Sequence, residues 1–193
     1  MVEVKGTVIN AWMAFLKGRF GEAKLTSAIE KLDPESRSRL ATMVLDSSWY
    51  PFELHSAMRT LTAGLRPDRE KGFAVEMGRN MAHTFYTKVY TSLLVDEPLK
   101  QFQRAAWMDE LLYRGWRTRE IKVTGSSSCL VLYHYTAGLT PEPGHCASIR
   151  GYLIGEAEVS GGRNVKCSHP SCMLKGRPLC EFSVEWDAPA SAS

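Results

Sequence analysis

The chemistry most legible in this chain lies near its C-terminal end, in the run Cys167-Ser-His169-Pro-Ser-Cys172 and in Cys180, which follows after seven further residues. Thiolate sulfur and imidazole nitrogen are the donors of tetrahedral zinc. A hairpin with Cys172 in its loop and Cys180 on the returning strand brings three such donors within about 4 Å of one another. The fourth must come from elsewhere. Cys146, at the start of the preceding predicted helix, is a reasonable donor because a helix N-terminus favours thiolate. The spacing differs from the paired CxxC of zinc ribbons, so two readings stay open on the residues alone: a metal centre, or buried inert cysteines.

Other reactive constellations are missing. The sequence contains no GxxxxGK[ST] phosphate loop, no GxGxxG opening a helix after a strand, no HExxH and no GxSxG. His55 and His83 sit in helical patterns without a cysteine or acid at ligand spacing, and read as core or solvated histidines. Trp49-Tyr50-Pro51-Phe52 reads as a hydrophobic staple at a helix entry.

The elements that must position the cysteines follow from periodicity. After a short opening strand or turn around Val2, Val4 and Val8, the residues Ile9, Trp12, Met13, Leu16 and Phe20 recur at helical spacing up to Gly21. A second helix runs over Glu22 to Leu32. Asp33-Pro34-Glu35 reads as N-cap, first-turn proline and first-turn acid of a third, and Pro51 opens a fourth that Gly64 and Pro67 end. The longest helix is expected from Asp68 to about Leu94 through Phe73, Met77, Met81, Phe85 and Val89. Pro98 begins another of roughly 18 residues, closed by Gly115 and packed along the long one. Beyond Glu120 the pattern alternates. Ile121 to Val123 and Cys129 to Tyr135 form one hairpin, Cys146 to Val159 is helical again, and Val165 to His169 with Pro178 to Trp186 form a second hairpin. The expected fold is α+β, a helical half over 1–116 packed on a four-stranded antiparallel sheet half over 117–186, in a single domain spanning 1–186. A disordered tail is expected over 187–193.

Composition sets outer limits. With 193 residues and 44% hydrophobic content the chain can bury a core, and 24 Lys+Arg against 21 Asp+Glu leave +3, too even a balance for a nucleic-acid partner. No stretch approaches the roughly 20 apolar residues of a membrane span. The N-terminal residues lack a charged segment followed by an apolar one, and five cysteines are an odd number for a disulfide framework. A cytoplasmic location is expected.

Two runs resemble known families. Val4-Lys5-Gly6-Thr7-Val8-Ile9-Asn10, followed by Gly21-Glu22, resembles the opening of haem-nitric-oxide-binding domains. Cys172 to Phe182, with Gly176 four after the first cysteine and then Cys180-x-Phe182, resembles the closing motif of the 4-vinyl reductase domain. These families share a plan with the Bet3-like subunits of Golgi transport tethers. The whole chain, including Trp49 to Leu54 and Glu185-Trp186, is similar to an uncharacterised bacterial paralogous family built on it. The resemblance implies a small-ligand cavity and, as in 4-vinyl reductase-like domains, a structural zinc held by Cys146, Cys172 and Cys180 with His169, Cys167 being the competing fourth ligand. It implies no haem. The stretch of the proximal histidine reads Trp107-Met-Asp-Glu110, and the propionate clamp falls on Tyr133 to Ala137 with its arginine lost.

On this basis the expected function is a non-enzymatic regulatory or sensory module. A small apolar ligand would sit between the long helix and the sheet, with Phe85, Tyr86, Trp107 and Tyr133 as candidate lining, and a partner protein would read the bound state. The alternative is a ligand-free homodimeric scaffold, and a homodimer is expected through the apolar residues Trp12, Leu16 and Phe20 of the first helix.

Overall fold

The structure, a computed structural model, describes residues 1–66 and 72–187. It is α+β, as expected, with eight α-helices, two antiparallel sheets and several short helical turns among the described residues. The chain divides into two compact units, Met1–Lys71 with Leu111–Trp116, and Gly72–Glu110 with Arg117–Ser193. The long helix therefore groups with the four-stranded sheet.

In the N-terminal unit, β1 (Glu3–Lys5) leads directly into α1 (Gly6–Phe20). Gly21, at φ 82°, ends α1 with its N–H donating to the Lys17 carbonyl, the left-handed stop that glycine permits. After α2 (Glu22–Ile29), α3 (Pro34–Ala41) starts where the Asp-Pro-Glu signal places it, and the Ser36 N–H donates to Asp33 Oδ1 at 2.9 Å. The residues read as a staple are a strand, β2 (Trp49–Pro51), before α4 (Phe52–Leu65). Together with β3 (Tyr113–Arg114) it forms a three-stranded sheet around β1, in the order β2-β1-β3, with Val4 opposite both Tyr50 and Tyr113. Strands of two or three residues carry too little alternation to be seen in sequence.

The core of this unit is built by Val8, Ile9, Trp12 and Leu16 of α1 against Leu54, Met58 and Leu61 of α4, all buried. Trp12 Nε1 donates to Thr62 Oγ1 at 3.0 Å, and that hydroxyl donates to the Met58 carbonyl at 2.7 Å. His55 is buried as well. Its ring stacks on Phe52 at 4.7 Å and stands edge-on to Trp12, Tyr113 and Trp116 at 5.2 to 5.8 Å.

In the C-terminal unit, α5 (Phe73–Thr84) passes into a π-helical turn at Phe85–Val89 and, after Tyr90, a 3-10 turn at Thr91–Leu93. The expected start of this helix at Asp68, and Pro67 before it, lie outside the described residues. The segment expected as one helix from Pro98 is α6 (Pro98–Arg104), a 3-10 turn at Ala105–Trp107, and α7 (Met108–Leu112). It does not run along α5, whose partner is instead α8 (His145–Val159). The antiparallel sheet comprises β4 (Arg117–Gly125), β5 (Ser128–Tyr135), β6 (Arg163–Ser171) and β7 (Cys180–Asp187) in the order β4-β5-β7-β6. Asp187 belongs to β7, and the expected tail over 188–193 lies outside the described residues.

Alternation sets the inner face of this sheet. Cys129, Val131 and Tyr133 of β5 and Cys180, Phe182, Val184 and Trp186 of β7 are buried together with Ile149, Leu153 and Ala157 of α8. The opposite side of α8 meets α5, so this helix is buried on two sides and shows no single apolar stripe.

Candidate metal and ligand site

The structure brings four of the cysteine-region residues together. One donor atom from each of Cys146, His169, Cys172 and Cys180 lies within 4.8 Å of the others. Cys146 enters from the first turn of α8, His169 from the end of β6, Cys172 from the turn after it and Cys180 from the first residue of β7. The Cys146 sulfur stands 4.0 Å from that of Cys172 and 3.9 Å from that of Cys180. Sulfurs at tetrahedral corners about 2.3 Å from a zinc ion are about 3.7 Å apart, so the spacing matches a Cys3His donor set. The His169 ring stacks flat on Phe182, with centroids 4.2 Å apart and planes 2° from parallel, which fixes its direction. Its buried Nε2 has no hydrogen-bond partner.

Cys167 is not in this group. It shares the inward side of β6 with His169 but pairs with Val184, four residues along β7 from Cys180, which sets its thiol away from the donors, and that thiol makes a long contact to the Ser168 carbonyl. Burial pushes the Cys167 and Cys129 thiols up to about 12, which disfavours their thiolate forms. Cys180 differs. The neighbouring Cys146 thiol, the Met173 N–H at 3.5 Å and His169 hold its thiol below the ordinary range, at the expense of Cys146, which is pushed up.

The residues proposed as ligand lining are distributed otherwise. Phe85, Tyr86 and Tyr133 are buried in the core of the C-terminal unit, but Trp107 is 41% exposed. Tyr133 packs on Phe182 and lies under the Arg117 guanidinium, 4.4 Å from the ring centroid. A surface pocket of about 730 Å³ in the N-terminal unit, lined by Asp33, Arg39, Glu53 and Ala57 among others, contains none of the candidate residues. Of the residues expected at a dimer contact, Trp12 and Leu16 are buried in the core of their own unit and Phe20 is half-buried.

Two buried ion pairs were not singled out in the sequence. Arg117 reaches Asp109 through Nε at 3.0 Å and Nη2 at 2.5 Å, while its Nη1 stands 2.6 Å from His145 Nε2. Arg119 and Glu156 form the second, with side chains 1% and 0% exposed. A signal existed for both arginines: they share the strand face of Ile121, where alternation assigns burial.

No family model matches the chain, and no curated protein matches it by sequence. Solved structures do. An H-NOX protein from S. oneidensis in the Fe(II) ligation state superposes with a TM-score of 0.73 at 14% identity, over 98% of this chain and 99% of that one. The Fe(II) unliganded H-NOX protein from K. algicida gives 0.70 at 12% identity, over 98% and 100%. A structure from a study of haem distortion in the H-NOX family gives 0.67 at 11% identity, over 98% of both chains.

These neighbours overturn the expectation of no haem. Haem proteins share this fold over nearly its whole length, and at 11 to 14% identity the residues at two aligned positions do not exclude a prosthetic group. Trp107–Glu110 still supplies no imidazole, so this stretch does not name an iron ligand. What the comparison establishes is architecture: this chain has the fold of the H-NOX proteins.

Proposed function

We propose that this chain is a sensory module rather than an enzyme, one that holds a small ligand, with its C-terminal unit braced by a zinc ion on Cys146, His169, Cys172 and Cys180. The convergence of those four donors within 4.8 Å carries the metal assignment. Four protein ligands leave no open position, so the ion would be structural, joining the start of α8 to the hairpin of β6 and β7. The full-length likeness to H-NOX structures supports the ligand-binding reading, and a partner protein would read the bound state. The thiol–imidazole contact of Cys180 with His169 lies within the donor group, where a bound zinc ion would take up both side chains.

The test is purification without chelator from haem-replete cells, followed by elemental analysis, absorption spectroscopy and native mass spectrometry. The expected result is stoichiometric zinc and a non-covalent small-molecule adduct, which a Soret band would identify as haem. Protein without zinc but with reactive native thiols would refute the metal. Protein without any adduct or Soret band would refute the sensory reading.

A further inference from the structure

Two contacts of the Arg117 guanidinium lead to the cysteine–histidine group, and a third holds it in place. Asp109 of α7 clamps it through Nε at 3.0 Å and Nη2 at 2.5 Å, the Arg117 and Asp109 side chains being 7% and 8% exposed. Its Nη1 stands 2.6 Å from Nε2 of His145, the first residue of α8. Its flat face lies over the Tyr133 ring, 4.4 Å from the centroid. An arginine offers donors and no acceptor, so His145 Nε2 accepts and the hydrogen of that ring sits on Nδ1.

The contact through His145 ends at Cys146. The start of α8 has no capping side chain, since Gly144 precedes it at φ 83°, and Cys146 follows His145 directly. Holding the His145 ring therefore fixes the first turn of α8, and with it the direction of the Cys146 sulfur. The contact through Tyr133 ends at His169. Tyr133 stands edge-on to Phe182, with centroids 5.9 Å apart, and Phe182 is the ring on which His169 stacks. Tyr133 is also the β5 partner of Cys180 in the sheet register. Tyr135, opposite Arg117 on β5, lies between the guanidinium and the thiols: burial raises its hydroxyl, Arg117 opposes the rise, and Cys180 and Cys146 add to it.

Stability alone gives no reason for a buried ion pair in this place. Apolar side chains of the same volume are commonly as stable, whereas the rigid fork of a guanidinium directs Asp109, His145 and Tyr133 at once. We infer that Arg117 is a positioning residue of the metal centre, holding Cys146 through His145 and His169 through Tyr133 and Phe182, with Asp109 setting the guanidinium. This rests on the zinc reading of the four donors and adds to it the group that orients them. Partners behind the ligands of a metal commonly set its affinity by about 10- to 100-fold.

The test separates orientation from stability. Arg117→Met combined with Asp109→Leu removes both charges, so the chain should fold with a metal-free urea midpoint close to that of the unsubstituted protein. Its zinc affinity, measured by competition with a chromophoric chelator, should nevertheless fall by at least about tenfold. Cobalt in place of zinc should show weaker and shifted visible bands, because the directions of the ligands set them. Arg117→Lys keeps the charge but not the fork, should lose affinity in the same way, and decides the matter if the double variant does not fold. Leu153→Ala, in the core two turns further along α8, lowers stability and leaves the Arg117 contacts in place, so it should keep both the affinity and the cobalt spectrum. Unaltered affinity and cobalt bands in the double variant, full affinity in Arg117→Lys, or an equal loss in Leu153→Ala would overturn the inference and leave the zinc reading standing. Failure of the unsubstituted chain to bind either metal would sink the zinc reading, and this inference with it.

Discussion

Gly151 of α8 lies so close to Val75 of α5 that a Cβ at its position would stand 1.9 Å from the Val75 carbonyl oxygen. Gly78 makes the reciprocal approach, where a Cβ would meet the Ser148 carbonyl oxygen at the same 1.9 Å. The two backbones touch directly, and neither can retreat without opening the core between α8 and the sheet.

Gly151→Ala and Gly78→Ala are therefore each expected to destabilise the protein by about 3 kcal/mol, the upper range for overpacking. Gly18→Ala, in α1 with nothing within 4 Å of the added carbon, should be neutral or stabilising through helix propensity. Urea denaturation of the three variants checks this, and equal midpoints would refute the close approach.

On the proposed zinc assignment, removing the metal should loosen the link between α8 and the last hairpin. Chelation and Cys180→Ser are each expected to cost about 3 kcal/mol or more, which for a chain of this size lowers the melting temperature by roughly 10 °C. Cys129→Ser should keep its zinc, because Cys129 lies on β5 outside the donor group. Calorimetry with metal analysis on the same samples measures both effects.

The buried Arg117–Asp109 pair offers an electrostatic test inside the same unit. Asp109→Ala leaves the guanidinium with the His145 ring and without its carboxylate, at an expected cost of about 3 kcal/mol. Replacing both partners, Arg117→Met with Asp109→Leu, should recover most of it. A single variant as stable as the unsubstituted chain would show the pair to be solvated.

The Asp33 cap gives a pH dependence of known sign. Its hydrogen bonds from Ser36 hold the carboxyl below its ordinary range, so its contribution is present above that range and lost as pH falls through the lowered value. Protection of the Ser36 amide against hydrogen exchange should drop in that acid range. Asp33→Asn, which still accepts the bond but does not ionise, should show protection with little dependence on pH.

What the sequence by itself determined is whatever short-range spacing encodes. The helix starts at Pro34 and near Pro51, the stop at Gly21, the two hairpins and the helix ending at Val159 are local events, decided by capping, proline geometry and alternation within a few residues. The cysteine pattern was legible for the same reason, since three of its four members sit within one hairpin. Tertiary structure decided the rest. The sheet around Val4 joins it to segments about fifty and about a hundred and ten residues away in sequence, each too short to signal a strand alone. The choice of His169 over Cys167, both on the inward side of β6, depends on where along β7 each residue falls relative to Cys180, which alternation does not reveal. The partnership of Arg119 with Glu156 joins a strand to a helix dozens of residues away, and a buried charge finds its partner only when the fold brings the two together.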